Sequence, residues 1–543
     1  MLGLMQDQGL LISGIITHAA RNHRASGIVA RTSDGGTVRE TYPEAELRAR
    51  RLARALGRLG VKPGDRVATL AWNDHRHVEL YYAISGTGAI CHTVNPRLSA
   101  DDISYILNHA GDVLLFADPM FAPLVAPLVA KAAPRVPALR HVVFMAPRET
   151  MPAEPAALCY EELLEDPIAS WPVFDERSAA ALCYTSGTTG RPKGALYSHR
   201  STLLHAFAVA VPDVMGLGAT DRCLPVVPMF HVNAWGTPYA CPMVGASLVM
   251  PGRFLDGASL ARQMNEEGVT CTSGVPTVWL GLLQHLRTSG ERLATLKRML
   301  VGGSACPRML IEGFADYGVR VDQGWGMTEM SPVGTYNGPN AATAGLDAGA
   351  AMRLREKQGR ALFNVEMRIV DEQGAELPWD GAHSGHLQVR GPFVASAYYG
   401  DKPGSALDAE GWFATGDVAS IDPDGYMEIT DRSKDVIKSG GEWISSVQLE
   451  NLAVAHPSVA EAAVIAARHT KWDERPLLLV VTKPGQSISR EAMLAFLEGK
   501  VAKWWLPDDV ITVDALPHTA TGKISKLTLR EKFRDHLLLE AAG

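Results

Sequence analysis

The sequence predicts an α/β protein of more than one domain, and three observations lead to that expectation. Short apolar runs alternate with segments of helical periodicity from residue 10 to about residue 331, a pattern typical of a mostly parallel sheet covered by helices. Residues 363–389 instead alternate apolar and polar side chains between turns, which favours an antiparallel, barrel-like unit. The 543 residues also exceed what one compact core accommodates.

Local signals predict the elements in chain order. Tyr42-Pro43-Glu44 marks a helix start, and the apolar positions that follow recur at roughly helical spacing. Apolar runs predict strands at 66–71, 113–117, 142–144 and 246–250, with a helix over 78–84 between the first two. Beyond Asp431 a further small α/β unit is expected, with strands at 464–466 and 477–481.

Composition excludes several classes of protein. Hydrophobic residues make up 46% and charged residues 20% of the chain, and the net charge is -7. Nucleic-acid binders normally carry a basic surface, so this balance argues against one. Seven cysteines are scattered without a Cys-x-x-Cys pair, which excludes the usual structural zinc spacing and fits a reducing compartment.

No segment has the pattern of a membrane span or a signal peptide. The first twenty residues lack the basic start of a signal peptide. The longest uncharged stretch, 223–252, is interrupted by five prolines, which favours buried strands over a membrane helix. We therefore expect a cytoplasmic protein.

The most informative segment is the loop from Thr185 to Lys193, which reads Thr-Ser-Gly-Thr-Thr-Gly-Arg-Pro-Lys after an apolar strand. Its two glycines let backbone amides converge on phosphate oxygens, and its lysine adds a cation. Hydroxyl donors come from Thr185, Ser186, Thr188 and Thr189, and the glycines are Gly187 and Gly190. A loop of this composition is more often an ordinary surface loop, and it does not match the P-loop pattern of common NTPases.

Other segments place this loop in a family. The loop resembles the phosphate-binding signature of the adenylate-forming superfamily, which includes acyl-CoA synthetases, peptide-synthetase adenylation domains and luciferases. Further matches follow in the family's order over essentially the whole chain, at 302–305 (Gly-Gly-Ser-Ala), 323–329 (Gln-Gly-Trp-Gly-Met-Thr-Glu), 411–417, 431–435 and 521–523 (Thr-Gly-Lys). The resemblance implies activation of a carboxylic acid by ATP as an acyl-adenylate.

The resemblance also implies a nucleotide site with Mg²⁺. Trp325, where the family more often has Tyr, would stack on adenine. Glu329 and Thr185 would hold the metal, since hard oxygen ligands suit Mg²⁺. Asp417 and Arg432 would bind the ribose. The remaining implied nucleotide contacts are Ser186, Gly187, Thr188, Thr189, Gly190, Lys193, Gly303, Ser304, Ala305, Gln323, Gly324, Gly326, Met327 and Thr328.

Lys523 is the predicted catalytic cation of adenylation, together with Thr185, Glu329 and His231 as the other catalytic candidates. Its ammonium could bridge the substrate carboxylate and the α-phosphate. The family implies a hinge at Lys434, so that a mobile C-terminal domain withdraws Lys523 and brings Lys438, Gly440 and Gly441 to coenzyme A. The expected domains are 1–433, with parts at about 1–200, 201–340 and 341–431, and 434–543. Together these make two helix-covered mixed β-sheet subdomains, a small β-barrel and a small mobile α+β domain.

The acid pocket is predicted around Pro228-Met229-Phe230-His231-Val232-Asn233-Ala234-Trp235-Gly236, which resembles the acyl-pocket segment of acyl-CoA synthetases. No Asp stands there to hold an amino group, so an amino-acid substrate is disfavoured. Within the family the chain looks like the 3-methylmercaptopropionyl-CoA ligases and medium-chain acyl-CoA synthetases. The predicted acid contacts are His231, Trp235, Gly302, Gly303, Met327 and Pro332.

Coenzyme A is the expected acceptor, since about one helix follows Lys523 and leaves no room for a carrier domain. A long-chain or aryl acyl-CoA synthetase is the alternative within the class, and a non-catalytic adenylate-binding sensor is the alternative outside it. Arg468, Lys471, Trp472 and Arg475 meet either the coenzyme A nucleotide or only solvent. The family also suggests a homodimer.

Overall fold

The computed structural model describes residues 1, 3–130, 134–185, 191–439, 442–519 and 523–538. The first third of the chain supplies a seven-stranded sheet with the order β7-β6-β5-β3-β4-β8-β9, parallel except for the β8–β9 pair. The strands and helices of this part of the chain, of which β1 and β2 belong to the second large sheet, are β1 (Gly27–Arg31), β2 (Thr37–Thr41), β3 (Arg66–Leu70), β4 (Ile90–Thr93), β5 (Leu114–Ala117), β6 (His141–Phe144), β7 (Leu158–Cys159), β8 (Ala179–Tyr184), β9 (Gly194–Ser198), α1 (Ile12–Asn22), α2 (Tyr42–Arg58), α3 (His75–Gly86), α4 (Ala100–Ala110), α5 (Ala122–Val125) and α6 (His199–Ala210).

The next region builds a nine-stranded sheet, which takes in the β1–β2 hairpin from the start of the chain. The order is β16-β15-β14-β13-β12-β10-β11-β1-β2, with a parallel centre and antiparallel pairs at both edges. Its further elements are β10 (Arg222–Pro225), β11 (Ser247–Met250), β12 (Cys271–Gly274), β13 (Arg298–Val301), β14 (Arg320–Gly326), β15 (Val333–Tyr336), β16 (Arg360–Ala361), α7 (Thr237–Val244), α8 (Gly257–Glu266), α9 (Pro276–Ser289), α10 (Arg308–Ala315) and α11 (Ala348–Arg355).

The antiparallel unit predicted over about 341–431 is a four-stranded sheet in sequential order. Its strands are β17 (Glu366–Val370), β18 (Gly385–Arg390), β19 (Phe413–Ile421) and β20 (Met427–Arg432). The last region forms a five-stranded mixed sheet with the order β22-β21-β24-β23, and its fifth strand pairs parallel with β24. It comprises β21 (Ile437–Ser439), β22 (Glu442–Ile444), β23 (Val459–His469), β24 (Asp473–Thr482), β25 (Asp509–Thr512), α12 (Ser446–Val454), α13 (Arg490–Leu497) and α14 (Lys526–Phe533).

Helix ends follow from side-chain capping. At α2, Thr41 accepts from the backbone N–H of Glu44, whose carboxylate accepts in return from the Thr41 N–H, and such a capping box fixes the start of a helix. At α4, Ser99 caps the start, and Gly111 ends the helix with a φ of 67°, a left-handed conformation that glycine adopts without a steric penalty. The predicted start at Tyr42-Pro43-Glu44 is confirmed.

The main core lies where the two large sheets share helices. Val67 of β3 and Leu248 of β11 belong to the same buried cluster. Tyr82 of α3 and Tyr239 of α7 fill the space between the sheets, and the Tyr82 hydroxyl donates to the carbonyl of Pro238 at 2.6 Å. The predicted α/β fold class, with a large domain of mixed sheets and a smaller C-terminal domain, is therefore confirmed. The unit expected as a small β-barrel is instead a four-stranded antiparallel sheet in which the described strands pair in the order β17-β18-β19-β20.

The described residues contain neither a helix that could span a membrane nor a cluster that could bind a metal, and their thiols are free. Within the described ranges no helix has both the length and the hydropathy that crossing a membrane requires. Nor do the described residues hold a group of three or more His, Cys, Asp or Glu side chains placed to bind a metal. All seven cysteines are buried free thiols, as expected for small core residues in this sequence.

Candidate functional site

A cavity of about 530 Å³ opens where the large sheets, the antiparallel sheet and the C-terminal domain meet. Val226, Val275 and Gly303 line it, and each follows the carboxyl end of a parallel strand, β10, β12 and β13 respectively. In α/β sheets ligands bind in the crevice outside these strand ends. Thr185 and Lys193 border the cavity from the β8–β9 connection, and residues 413–416 border it from β19.

Lys523 reaches this cavity from the C-terminal domain. Two hydrogen bonds join Thr519 and Lys523, from the Thr519 N–H to the Lys523 carbonyl at 2.7 Å and from the Lys523 N–H to Thr519 Oγ1 at 3.2 Å. A β-carbon at Gly303 would lie 3.8 Å from Lys523 Cε, so the lysine packs against the predicted adenine-wall segment. Burial lowers the pKa of Lys523 to about 8, with a further lowering by the Arg432 cation and an opposing effect of Asp417.

Asp417 and Arg432 are directly opposite each other on β19 and β20. Arg432 Nε lies 3.2 Å from Asp417 Oδ1, and the Trp325 indole donates to Asp417 Oδ2 at 2.9 Å. A carboxylate has about four acceptor positions, so one position on each oxygen is left for a ligand. Asp417, Arg432 and Trp325 are far apart in the sequence but form one unit in the structure. The two free positions on the Asp417 carboxylate can accept from two neighbouring hydroxyls.

Tyr398 contacts both Glu329 and Lys193, and it lies in none of the predicted motifs. The Tyr398 hydroxyl donates to Glu329 Oε1 at 2.6 Å, and Lys193 Nζ lies 4.7 Å from the centre of the Tyr398 ring. Burial and the neighbouring carboxylate raise the pKa of Tyr398. Thr185 Oγ1 accepts from the Lys193 N–H at 3.2 Å. The carboxylate, the lysine and the hydroxyl thus face one region of the cavity, whereas Ser186, Gly187, Thr188, Thr189 and Gly190 lie outside the described residues.

The segment 323–333 forms the cavity wall between these two groups. Gly326 has no alternative to glycine, because a β-carbon there would lie 1.9 Å from the Pro332 carbonyl oxygen. The Met327 N–H donates to that same oxygen at 3.1 Å, which folds the strand end back on itself. Gly324, Trp325, Gly326, Met327, Thr328, Glu329 and Pro332 all line the cavity. The tight turn therefore presents every residue of the predicted motif except Gln323 to one ligand space.

The far end of the cavity is apolar. Its aliphatic lining consists of Val226, Val227, Val232, Leu255, Val275, Val278, Leu300 and Val333. His231 lines the same cavity as Lys523, and burial followed by the lysine charge lowers the pKa of His231 to about 4. Its imidazole is therefore neutral at neutral pH. Trp235 closes one side of the apolar end, and a β-carbon at Gly302 would lie 3.0 Å from its indole ring.

Trp235 belongs to a strained turn. Val232, Asn233, Ala234 and Trp235 have φ values of 43°, 51°, 48° and 56°, and Gly236 continues the run at 78°. The left-handed conformation costs an L-residue about 1–2 kcal/mol, so four in succession persist only where the surroundings hold them. No periodicity in the sequence indicates this turn.

Several predicted residues lie outside the cavity lining. Gln323 is buried, and its amide donates to the Arg355 carbonyl at 2.7 Å. Lys438 pairs with Glu372 at 3.1 Å, while Lys434 borders the cavity. Ser304 and Ala305 stand beside Gly303 without lining the cavity, and Gly440 and Gly441 lie outside the described residues.

Other cavity-lining residues carried no motif in the sequence. Arg97 lines the cavity, and its guanidinium carbon lies 5.4 Å from the ring centre of Trp72 and 5.7 Å from that of Phe230. Burial lowers the pKa of Arg97. Arg97 and Phe230 are far apart in the sequence, so a single sequence carries no signal of their contact.

Arg475, one of the candidate contacts for a coenzyme A nucleotide, is already bound to other residues of the C-terminal domain. Its Nε pairs with Asp508 at 2.7 Å, and its other nitrogens donate to the Trp504 and Leu506 carbonyls. Trp472 and Lys471 remain at the surface of the β23–β24 connection, with the lysine ammonium 4.6 Å from the indole ring centre.

Comparisons with known proteins agree with this geometry. Residues 16–399 match the family described as AMP-binding enzyme, and residues 448–523 match the AMP-binding enzyme C-terminal domain. The chain is 52% identical to a 3-methylmercaptopropionyl-CoA ligase of Ruegeria lacuscaerulensis, over 99% of this chain and 100% of that protein. It is 50% identical to a medium-chain-fatty-acid–CoA ligase of Ectopseudomonas oleovorans, over 100% of both chains.

A solved structure shows the same architecture. The anthranilate CoA ligase AuaEII, crystallised with anthranoyl-AMP, superposes with a TM-score of 0.84 at 26% identity, over 97% of this chain and 98% of that one. A family match to well over half of the residues, together with full-length relatives at about 50% identity, establishes the relationship. The chain belongs to the AMP-binding enzyme family.

Proposed function

We propose that this protein is an AMP-forming acyl-CoA ligase, which converts an acid, ATP and coenzyme A into acyl-CoA, AMP and diphosphate. One observation carries the proposal. A single cavity is lined by Arg432 and Trp325, which hold the adjacent Asp417, by Thr185 and Glu329, by Lys523 and by a set of aliphatic side chains. These are the groups that a nucleoside triphosphate and an acid need at adjacent positions.

In the first half-reaction a carboxylate oxygen of the acid attacks the α-phosphorus, and diphosphate leaves with the electron pair of the broken P–O bond. Both reactants are anions, so their approach needs a cation between them. Lys523 supplies it, and in a site shielded from water such a charge stabilises a transition state by about 3–4 kcal/mol. The neutral imidazole of His231 borders the carboxylate end of the acid without adding a second charge.

The nucleotide is held by groups from three strands, β14, β19 and β20, and from the segments around Lys193 and Thr328. Trp325 offers an aromatic face to adenine, Asp417 accepts from the ribose hydroxyls, and Arg432 donates to the same sugar. Lys193 meets the terminal phosphates, and Thr328 donates to the α-phosphate. These roles also extend to the glycine-rich loop between Thr185 and Lys193 by the resemblance of its sequence.

Mg²⁺ fits the same region. Glu329 contributes one buried carboxylate and Thr185 one hydroxyl, and Mg²⁺ characteristically takes one or two carboxylates together with substrate phosphates. When bound, the metal would neutralise phosphate charge. Tyr398 fixes one oxygen of the Glu329 carboxylate in advance, at 2.6 Å, so the other oxygen has a defined direction.

In the second half-reaction the sulfur of coenzyme A attacks the acyl carbon, the bond to AMP breaks, and the thiol proton is released. Lys523 occupies the cavity in the present arrangement, while Lys438 pairs with Glu372 outside it. We propose that the C-terminal domain, residues 434–543, turns about Lys434 to exchange the two lysines. Lys434 sits in the connection between β20 and β21, so backbone rotation there moves the whole domain.

The acid is proposed to be 3-methylmercaptopropionate or a short-to-medium-chain fatty acid. The apolar end has aliphatic walls, with Met327 beside them, and methionine adapts to a thioether or an alkyl chain alike. Relatives named for these two acids are 52% and 50% identical to this chain. A long-chain acid is the second candidate, since a relative from Thermus thermophilus named as a long-chain-fatty-acid–CoA ligase is 45% identical.

The decisive experiment measures AMP formation from ATP with and without coenzyme A, across acetate, butyrate, hexanoate, octanoate, cinnamate and 3-methylmercaptopropionate. Sustained AMP release that requires both an acid and coenzyme A is expected, with the highest kcat/KM among the aliphatic acids or the thioether acid. ATP binding without turnover would instead identify a non-catalytic adenylate sensor. The cytoplasmic location and the homodimer stay predictions from the sequence.

A further inference from the structure

His205 is a buried histidine outside the cavity lining, and it lies between two cavity walls. It belongs to α6 and is 2% exposed. The backbone N–H of Val333 donates to its Nε2 at 3.0 Å, so Nε2 is the unprotonated nitrogen. Burial lowers the pKa of His205 to about 3, which keeps the ring neutral and Nε2 available as an acceptor throughout the working pH range.

The other face of the imidazole fixes the end of the left-handed turn. A β-carbon at Gly236 would lie 2.8 Å from His205 Nδ1, a distance that real side chains do not adopt. The ring of Phe393 closes a further side, with its centre 5.5 Å from that of the imidazole. The ring therefore fills the gap between the last residue of the turn and the first residue of β15.

The rest of the turn is held from the opposite side. Asn233 Oδ1 accepts from the Tyr81 hydroxyl at 3.3 Å and from the Cys183 thiol at 3.3 Å. Thr237 Oγ1 donates to the Ala234 carbonyl at 2.8 Å. Since the turn is supported on that side by α3 and β8, the imidazole is the contact that determines how far its last residues stand from Val333.

Both walls face the apolar end of the cavity. Trp235, the last non-glycine residue of the turn, lines it from one side, and Val333 with its neighbour Pro332 lines it from the other. A movement of either wall changes the room for an alkyl chain. Neither wall belongs to the Asp417–Arg432–Trp325 unit that faces the nucleotide.

We infer that His205 is a positioning residue for acid selectivity, which sets the separation of Trp235 and Val333 and so determines the length of acid that fits. The inference rests on the proposed acyl-CoA ligase function and deepens it. Leucine at position 205 would leave the Val333 N–H without its acceptor in a buried place, and residues 332–333 would shift away. We expect the apolar end to widen and longer acids to gain relative to shorter ones.

The test compares His205→Leu with His205→Gln, whose amide oxygen can replace Nε2 as the acceptor. The readout is the ratio of kcat/KM for octanoate to that for butyrate. Since a single methylene is commonly worth tenfold or more in an apolar pocket, His205→Leu should raise the ratio by about tenfold. His205→Gln should stay within about threefold of the parent, and the KM for ATP should be unchanged in both.

A matched control comes from the same helix. His199 is also buried, its Nδ1 accepts from the Ile12 N–H at 3.2 Å, and it is not among the cavity-lining residues. His199→Leu removes a comparable hydrogen bond and should leave the acid ratio at the parent value. Should His205→Leu fail to fold by circular dichroism, His205→Met, which also lacks a nitrogen or oxygen acceptor, takes its place in the comparison.

Three results would overturn the inference alone. The first is an unchanged ratio in a folded variant that lacks the acceptor, and the second is an equal change in the His199 control. The third is a shift toward butyrate, which would contradict the expected widening. Absence of AMP formation by the parent with every acid would instead overturn the proposed function on which the inference depends.

Discussion

Lys523 offers the sharpest test of the catalytic assignment, because its environment predicts a pH dependence as well as a loss on substitution. Burial lowers the pKa of its ammonium from the ordinary 10.5 to about 8. A lowered pKa in a base means that the charged form is present below about pH 8 and is lost as the pH rises through that value. The kcat/KM for adenylate formation should therefore be level below pH 8 and fall tenfold per pH unit above it.

The magnitude follows from the same shift. The difference between 10.5 and about 8 corresponds to about 3 kcal/mol of unfavourable free energy for the ammonium in the empty cavity. The anionic carboxylate and α-phosphate would restore that free energy when they bind. Removing the charge in Lys523→Ala should accordingly lower kcat about 10²–10³-fold, the range for loss of one such donor.

The assay is the pH profile of diphosphate release in the absence of coenzyme A, because kcat/KM reports the ionisation of the free enzyme. Lys523→Arg keeps a charge to beyond pH 12, so its slower reaction should lack the alkaline fall. Thioester formation from preformed acyl-adenylate should survive Lys523→Ala largely intact. A flat parent profile from pH 7 to 10, or an equal loss of both half-reactions, would refute the assignment.

Three further predictions address the nucleotide and the hinge. Trp325→Phe keeps an aromatic face but removes the donor to Asp417, so the preference for ATP over 2′-deoxy-ATP should fall about fivefold or more, while Trp412→Phe, outside the cavity, should leave it unchanged. Tyr398→Phe removes the hydroxyl that holds the Glu329 carboxylate in place, so the affinity of the ATP complex for Mn²⁺, measured by electron paramagnetic resonance, should fall. The Mg²⁺ concentration needed for half-maximal rate should rise. Unaltered Mn²⁺ affinity would exclude this positioning role. Lys434→Pro restricts the hinge, so thioester formation should slow at least tenfold more than adenylate formation, and equal rates in both half-reactions would contradict a hinge there.

The sequence predicted elements whose signals are local. The strand before the Thr185–Lys193 loop, the start of α2 and the antiparallel alternation after residue 363 are all confirmed. Each depends on residues within a few positions of one another, as in the capping box of Thr41 and Glu44. The motif order likewise predicted the family, since it needs only residue types in sequence.

Contacts between distant segments could not be predicted in this way. The boundary expected near residue 200 would place the β1–β2 hairpin in the first subdomain, but β1 pairs with β11 in the nine-stranded sheet. Tyr398 and Arg97 stand in no motif, and their contacts with Glu329 and Phe230 join residues 69 and 133 positions apart. Such contacts arise from packing of the whole chain, which single-sequence periodicity does not encode.

By itself, then, the sequence determined the family and several of the strands and helices, and it predicted residues for adenylation, because motifs and periodicity are properties of neighbouring residues. Only the tertiary structure decided that Lys523 enters the cavity while Lys438 stays outside, and that Trp325 donates to Asp417. It also decided that the four left-handed residues 232–235 form a turn held by Tyr81 on one side and by His205 on the other. A strained turn of this kind exists only where surrounding elements hold it, and those elements come together only in the folded chain.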